Sequence, residues 1–161
     1  NKQVGRLMGE ALASVTPKVE NVVMLGGSPL DSNVPLVDSG FLEVCAESGI
    51  NILDSAHCDG WRAELAGEYI YNNPDIVNRA DAIMCGNDNL ASSVVRALAE
   101  NRLAGNILVT GQDADLDACQ RIVESTQLMT VYKPVEKLAG RAAECTVKLI
   151  KGEPIDGEDV V

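Results

Sequence analysis

The sequence predicts an α/β fold: a doubly wound, open and mainly parallel sheet of about five strands with helices on both faces. Three observations predict it. Short apolar runs are compact enough to be buried strands, segments with apolar residues at helical spacing separate them, and glycine or proline stands at several junctions. Each helix between parallel strands must pack back onto the sheet with right-handed connectivity, so helices are expected on both faces.

Helical and strand patterns alternate along the whole chain. Proline and glycine mark several limits: Pro17 closes the first helix, Gly49 follows the second, and Pro134 suits the first turn of the last. The predicted order is helix 4–12, strand 22–25, helix 34–48, strand 50–53, helix 61–71, strand 82–85, helix 90–98, strand 107–110, helix 116–123, strand 128–132 and helix 134–150.

Length and charge limit the classes of function. A chain of 161 residues can form one domain whose core needs neither metal nor disulfide. Hydrophobic residues make up 46% and charged residues 23%, which is ordinary for a globular protein. The formal net charge of -11 repels phosphate backbones, so nucleic acid is not an expected partner. No apolar stretch approaches the roughly 18 residues of a membrane span.

The cysteines form neither a disulfide framework nor a zinc pattern. They are odd in number, widely spaced and without a C-x-x-C pair. Most lie within apolar patterns, so they are expected to be small buried hydrophobes, and no metal or cofactor is predicted. They are Cys45, Cys58, Cys85, Cys119 and Cys145.

Polar or aromatic residues follow the apolar run of each predicted strand and precede a helical segment. The carboxyl ends of the strands of an open parallel sheet lie along one edge, so residues at such positions converge although they are far apart in sequence. This spacing predicts a small-molecule site. The candidate ligand-binding residues are Asn33, Trp61, Asn87, Asp113 and Lys133.

Two of these candidates stand beside a second carboxylate that could cap the next helix. Asp115 is the better helix cap and Asp113 the better ligand, because a carboxylate can accept hydrogen bonds from two vicinal hydroxyls of a sugar. Asp88 is expected to cap the helix near Leu90, which leaves the Asn87 amide free to donate and accept. Capping alone also explains both pairs.

The other three candidates also have a simpler structural explanation. Trp61, the only tryptophan, could stack on the C–H face of a pyranose, or it could pack on the core at a helix start. Lys133 could donate to a ring oxygen or hydroxyl, or it could be a solvated surface lysine. Asn33 lies in a loop where asparagine is common for turn chemistry alone. Their shared topological position favours the site.

Short motifs spread over nearly the whole chain follow the order of one known family. They are Gly26-Gly27-Ser28-Pro29, Asp31, Asn33, Asp59-Gly60-Trp61, Asn87-Asp88, Gly111-Gln112-Asp113-Ala114-Asp115-Leu116 and Thr130-Val131-Tyr132-Lys133-Pro134. In these motifs the chain resembles the periplasmic sugar-binding proteins of type I, especially the D-xylose-binding proteins of ABC transporters. The G-Q-D-A-D and M-T-V-Y-K-P stretches are specific.

The resemblance implies a two-lobed receptor that closes on a pentose or related monosaccharide and delivers it to an ABC permease. Such a receptor is not an enzyme and lies outside the cytoplasm, in the periplasm or as a cell-surface lipoprotein. The resemblance makes the candidate residues the contribution of the C-terminal lobe. Asp38 departs from the xylose-binding pattern, which carries a basic residue there, and this departure leaves the identity of the sugar open.

The resemblance starts at the helix that opens the C-terminal lobe, so the N-terminal lobe is expected to be absent. Residues 1–133 are then the sugar-binding lobe, 134–151 a helix that belongs to the missing lobe, and 152–161 an acidic tail. The apolar stripe of that helix would lack its usual partner, so it is expected to dock against the chain's own sheet or to be exchanged in a homodimer. With one wall of the cleft, sugar affinity is expected to fall towards millimolar.

Two other classes of function are considered. In an enzyme with a nucleotide-binding sheet, Gly26-Gly27-Ser28 would be a phosphate loop, but neither G-x-G-x-x-G nor G-x-x-x-x-G-K-[ST] is present. His57 and Cys58 are adjacent on an extended segment and would point to opposite faces, a poor geometry for a nucleophile and its base. A sugar-sensing domain coupled to a signalling partner stays open, whereas a LacI-type regulator would need a helix-turn-helix.

Overall fold

The computed structural model describes residues 1–155 and shows the predicted alternation of helices and strands. A turn of 3-10 helix, Asp59–Trp61, follows the second strand. The other elements are α1 (Lys2–Ala13), β1 (Asn21–Gly26), α2 (Val34–Ser48), β2 (Asn51–His57), α3 (Ala63–Asn72), α4 (Pro74–Val77), β3 (Ala82–Cys85), α5 (Asp88–Glu100), β4 (Leu108–Gln112), α6 (Leu116–Val123), β5 (Met129–Val131) and α7 (Val135–Lys151).

The strands form one open parallel sheet in the order β2-β1-β3-β4-β5. The chain leaves β1 towards β2 on one side and then crosses to β3 on the other side. The order therefore reverses between β1 and β3, which creates a crevice outside their carboxyl ends, the usual ligand position in open α/β sheets. The predicted fold class is confirmed.

Alternating side chains of β1 divide the core between the two faces of the sheet. Val22 and Met24 belong to a cluster with Met8 of α1 and Phe41 of α2. Val23 belongs to the opposite cluster, which is formed with α3, α4 and α5. Successive residues of a strand point to opposite faces, so a continuous apolar run is required when helices cover both.

Some element boundaries differ from the prediction. The predicted helix 61–71 begins only at Ala63, because Gly60 and Trp61 both have left-handed backbones that an α-helix cannot include. β2 continues to His57, since it is an edge strand whose outward side chains can be polar. β4 continues to Gln112, and the short helix α4 was not predicted.

Helix α7 does not dock against the sheet, so that version of the prediction is wrong. None of its residues is buried, and its apolar side chains Val135, Leu138 and Leu149 are exposed. Both faces of the sheet already carry helices from the first part of the chain. Residues 152–155 follow α7, and the remainder of the predicted acidic tail lies outside the described residues.

Three of the cysteines behave as the predicted small hydrophobes. Cys45, Cys58 and Cys85 are buried and free, whereas Cys119 is exposed and Cys145 is half-buried. Burial raises the pKa of both Cys45 and Cys58 to about 11. Their thiols are therefore protonated near neutral pH, and such groups are poor nucleophiles.

Two further findings concern only residues 1–155. No helix there has the length and apolar character required to cross a membrane. Nor do histidine, cysteine, aspartate and glutamate side chains come together there in groups of three or more that could hold a metal ion.

Candidate functional site

A pocket lies at the crevice between β1 and β3, outside the carboxyl ends of the strands, and all five predicted residues line it. Gly27 follows β1 and Gly86 follows β3, so the pocket coincides with the reversal of strand order. The side chains and backbone that line it belong to Asn1, Gly27, Asp31, Asn33, Val34, Val37, Asp38, Trp61, Gly86, Asn87, Gln112, Asp113 and Lys133.

A strained turn places the Trp61 ring against Gly27, the residue that follows β1. Its φ of 57° is rare for a large side chain and follows Gly60, whose φ is 62°. The indole packs partly on the α3 and α5 side of the core, and a Cβ on Gly27 would overlap its ring. Glycine at position 27 therefore lets the aromatic ring lie against the backbone of the pocket, with the rest of the ring available to a ligand.

The predicted capping of α5 by Asp88 is wrong. Asn87, not Asp88, caps α5: its side-chain oxygen accepts a hydrogen bond from the backbone N–H of Leu90 at 2.9 Å. The cap bond uses only Oδ1. The Nδ2 amide of Asn87 is thus the group that the residue can offer to a ligand in the pocket.

Asp88 is a buried carboxylate that joins three segments behind the pocket. It is only 1% exposed, and it accepts hydrogen bonds from the Thr130 hydroxyl at 2.7 Å, the Gln127 amide at 3.0 Å and the backbone N–H of Asp115 at 3.0 Å. A Cβ on Gly111 would collide with the same carboxylate. Since every contact is long-range in sequence, local pattern could not show this role.

The loop after β4 has an unusual backbone at Asp113. Both Asp113 and Ala114 have positive φ, 105° and 55°, which is uncommon for residues other than glycine. The N–H of Ala114 donates to Thr130 Oγ1 at 3.1 Å, and that hydroxyl in turn donates to Asp88. This chain of hydrogen bonds holds the loop in a conformation that places Asp113 on the pocket. Asp115 occupies the predicted N-cap position of α6, but its side chain makes no capping hydrogen bond.

Asp113 and Lys133 form an ion pair at the mouth of the pocket. The ammonium lies 3.5 Å from Asp113 Oδ1, and both side chains are 38% exposed. Burial raises the pKa of the Asp113 carboxyl above its ordinary value, and the Lys133 charge partly offsets that rise. Together the pair presents acceptors and donors of opposite charge to one small volume.

Asn33 reaches the pocket from the start of α2 and not directly from a strand. It occupies the N-cap position without a side-chain cap bond, while its backbone N–H donates to Asp31 Oδ1 at 2.9 Å. Its own Oδ1 accepts from the Asn1 amide at 2.5 Å. The turn chemistry is thus supplied by Asp31, and Asn33 is one of the residues that line the pocket.

Among the pocket residues that were not predicted as ligands, Asp38 and Gln112 each carry a buried side-chain oxygen. Asp38 on α2 accepts a hydrogen bond from His57 Nε2 at 2.9 Å, and Gln112 is 6% exposed at the end of β4. The predicted strand ended at residue 110, so the sequence did not place Gln112 in β4, which continues to that residue in the structure. The pairing of Asp38 with His57 joins α2 to the end of β2, which no local pattern indicates.

The fold and the site define an α/β domain with a small polar pocket at the carboxyl edge of its sheet. The pocket combines one aromatic ring with amide, carboxylate and ammonium groups, a set suited to a ligand with many hydroxyls. The chain belongs to the periplasmic binding protein domain family, whose model matches residues 1–154.

Two curated relatives match nearly the whole of this chain. The D-xylose-binding periplasmic proteins of Haemophilus influenzae and Escherichia coli K12 are each 38% identical to this chain, over 97% and 95% of its length. Each match covers 48% of the relative. The chain therefore spans about half the length of the curated relatives it matches.

Solved structures agree with this fold. An ABC transporter periplasmic solute-binding protein from Actinobacillus succinogenes with bound D-allose is 28% identical, with a TM-score of 0.86 over 96% of this chain and 55% of that one. A dimeric Lac repressor superposes with a TM-score of 0.82 at 19% identity, and that likeness shows the fold alone.

Proposed function

We propose that this chain is the sugar-binding lobe of an extracytoplasmic solute-binding protein that captures a pentose or related monosaccharide for an ABC transporter. The observation that carries the proposal is the convergence of Trp61 with Asn33, Asn87, Asp113 and Lys133 on one pocket. The D-xylose-binding relatives support the choice of sugar class. The ring of Trp61 stacks on the sugar, and the polar groups bond its hydroxyls.

The proposed boundaries follow the packing of the described residues. Both core clusters come from residues 1–133, which form the sugar-binding lobe. The following helix, residues 134–151, buries no residue in this lobe and is the proposed link to a second lobe, in agreement with the half-length match to the relatives. Closure of two lobes around the sugar supplies the second wall of the site. The proposed location is outside the cytoplasm, in the periplasm or as a cell-surface lipoprotein, and the periplasmic relatives support the extracytoplasmic part of this proposal.

The proposal is one of binding and not of catalysis. The adjacent pair predicted to be unsuitable for chemistry is indeed occupied otherwise: His57 bonds Asp38, and Cys58 is buried with a pKa raised to about 11. A nucleophile needs an accessible, ionisable group beside its base. Cys58 does not meet that requirement, because it is buried and protonated.

Titration of the 161-residue chain with D-xylose, D-ribose and D-glucose tests this function. Because Trp61 is the only tryptophan, its fluorescence reports the pocket directly. D-xylose should shift the emission with a dissociation constant on the order of millimolar, since one lobe supplies only part of the contacts. Two-dimensional NMR should locate the shifted amides at Gly27, Asn87 and Asp113. Shifts confined to residues outside the pocket, or none with any of the sugars, would refute the proposal.

We also propose that the exposed stripe of α7 causes the isolated chain to form a homodimer. Contiguous exposed apolar side chains favour association, and Leu138 and Leu149 are 52% and 65% exposed. Light scattering over a range of concentrations should show a mass that rises towards twice that of the monomer. The variant Leu138→Gln with Leu149→Gln should stay monomeric. The control Leu30→Gln, which changes an exposed leucine outside α7, should still form the dimer. A strictly monomeric parent chain at high concentration would contradict this.

A further inference from the structure

Buried polar atoms without a partner are rare in folded proteins, and two of those in this chain lie at the pocket. Most buried donors and acceptors are satisfied, because an unmade hydrogen bond costs about 1–3 kcal/mol. Within residues 1–155 the exceptions among side chains are Asp38 Oδ1, Thr110 Oγ1 and Gln112 Oε1. Asp38 and Gln112 both line the pocket.

The first of these acceptors is Oε1 of Gln112, the last residue of β4. Leu108 of β4 packs with the cluster on the α1 and α2 face, and alternation along the strand places Gln112 on that same face. Its side chain is more than nine-tenths buried. Because the side chain lines the pocket, a group that enters the pocket can supply the hydrogen bond that Oε1 lacks.

The second acceptor is Oδ1 of Asp38, which lies on α2, the helix that covers the same face of the sheet. The residue directly follows Val37, which belongs to the cluster on this face. The bond from His57 Nε2 occupies Oδ2 at 2.9 Å and leaves Oδ1 buried without a partner, while the side chain as a whole is 16% exposed. His57 therefore positions the carboxylate so that one oxygen stays available.

We infer that Asp38 Oδ1 and Gln112 Oε1 are two further ligand contacts, which accept hydrogen bonds from hydroxyl groups of a bound sugar and thereby determine which sugar is selected. This inference rests on the proposed function. A site built to accept a hydroxyl hydrogen rejects an analogue without that hydroxyl, because the buried acceptor is then left unpaired. The two acceptors on the α2 side complement the amide of Asn87 and the ion pair of Asp113 on the loop side.

The charge of the pocket limits the ligand to neutral sugars. Of the charged side chains that line it, three are carboxylates, those of Asp31, Asp38 and Asp113, and one is the ammonium of Lys133, which is already paired. A sugar acid would bring a further negative charge beside Asp38 in a partly buried site. Neutral sugars with unsubstituted hydroxyls are therefore selected over uronic acids.

The test compares D-xylose, its monodeoxy analogues and D-glucuronate, bound to the parent chain and to two variants, Asp38→Asn and Gln112→Met. Each variant keeps the approximate shape of the side chain and removes one acceptor. The matched controls are Asp75→Asn and Gln120→Met, which change exposed residues outside the pocket. NMR titration gives the affinity, and thermal unfolding of the free protein gives the stability.

Each pocket variant should bind D-xylose roughly 10-fold more weakly, and the controls should be unchanged. Gln112→Met should also raise the unfolding temperature of the free protein, since it removes an unpartnered buried group. The parent chain should bind neither D-glucuronate nor at least one of the deoxy analogues. This part of the test uses the parent chain alone, so it does not depend on whether the variants fold.

Parent-like affinity in both variants, or a lower unfolding temperature for Gln112→Met, would overturn the inference while sugar binding by the parent chain stands. If the parent chain binds none of the sugars, the proposed function itself fails, which is a different result.

Discussion

Replacement of Asp88 by alanine should lower the free energy of unfolding by about 3 kcal/mol. The carboxylate is buried and accepts hydrogen bonds from Thr130, Gln127 and the backbone of Asp115, and alanine leaves these donors unpaired. The same change should release the Asp113 loop, whose positive φ is sustained by that network. Urea unfolding measures the stability, and NMR measures the order of the loop.

The control for Asp88 is Asp117→Ala. Asp117 is likewise an acidic residue in the first turn of a helix, but it is exposed. Its removal should cost only about 0.5 kcal/mol through the helix dipole. If the two variants unfold at the same urea concentration, Asp88 is only a favourable charge at a helix start and not a structural clamp.

Replacement of Asp113 by asparagine should weaken D-xylose binding roughly 30-fold at neutral pH. The ionised carboxylate can accept hydrogen bonds from two hydroxyls, whereas an amide accepts with one oxygen and without charge. Titration of Trp61 fluorescence measures the loss. Asp59→Asn, an exposed aspartate close in sequence to Trp61 but not lining the pocket, is the matched control and should bind as the parent chain does.

The pH dependence of sugar binding should report the same carboxyl group. Burial raises the pKa of Asp113, so as the pH falls the folded protein takes up this proton at a higher pH than an unfolded chain would. Below that raised pKa the acceptor is protonated and binding weakens. Above that pKa the carboxyl is ionised and sugar binding is at its full strength. The free protein is then less stable than it would be with Asp113 protonated, because the charged form is the one that burial disfavours.

Lys133→Met should move the midpoint of that pH profile upward. The Lys133 charge lowers the pKa of Asp113 against the effect of burial, so its removal raises the pKa further. Carbon-detected NMR of the Asp113 carboxyl can follow the titration without any ligand. An unchanged pKa in Lys133→Met would show that the ion pair has no influence at this site.

Much of the fold was predictable because local pattern and tertiary packing agree. The run Val22–Leu25 is apolar at every position, which only a strand covered on both faces requires. The convergence of residues after the strands follows from parallel geometry alone, and the pocket contains all five predicted residues. Their contact with a sugar stays a prediction.

Roles that depend on long-range contacts were assigned wrongly or were missed. Asn87 and Asp88 are neighbours of similar capping ability, and sequence could not tell which one caps the helix and which turns inward to Thr130. The partner of Asp38 was likewise invisible, because His57 lies on another element.

The sequence by itself determined the alternation of elements, the parallel sheet and the edge at which the site lies, because each depends on periodicity and strand direction. Only the tertiary structure decided which polar groups are buried, which of them are satisfied, and that α7 has no cover within residues 1–155. Hydrogen bonding and burial depend on which side chains meet in space, and that juxtaposition is set by packing and not by the neighbours of a residue in the chain.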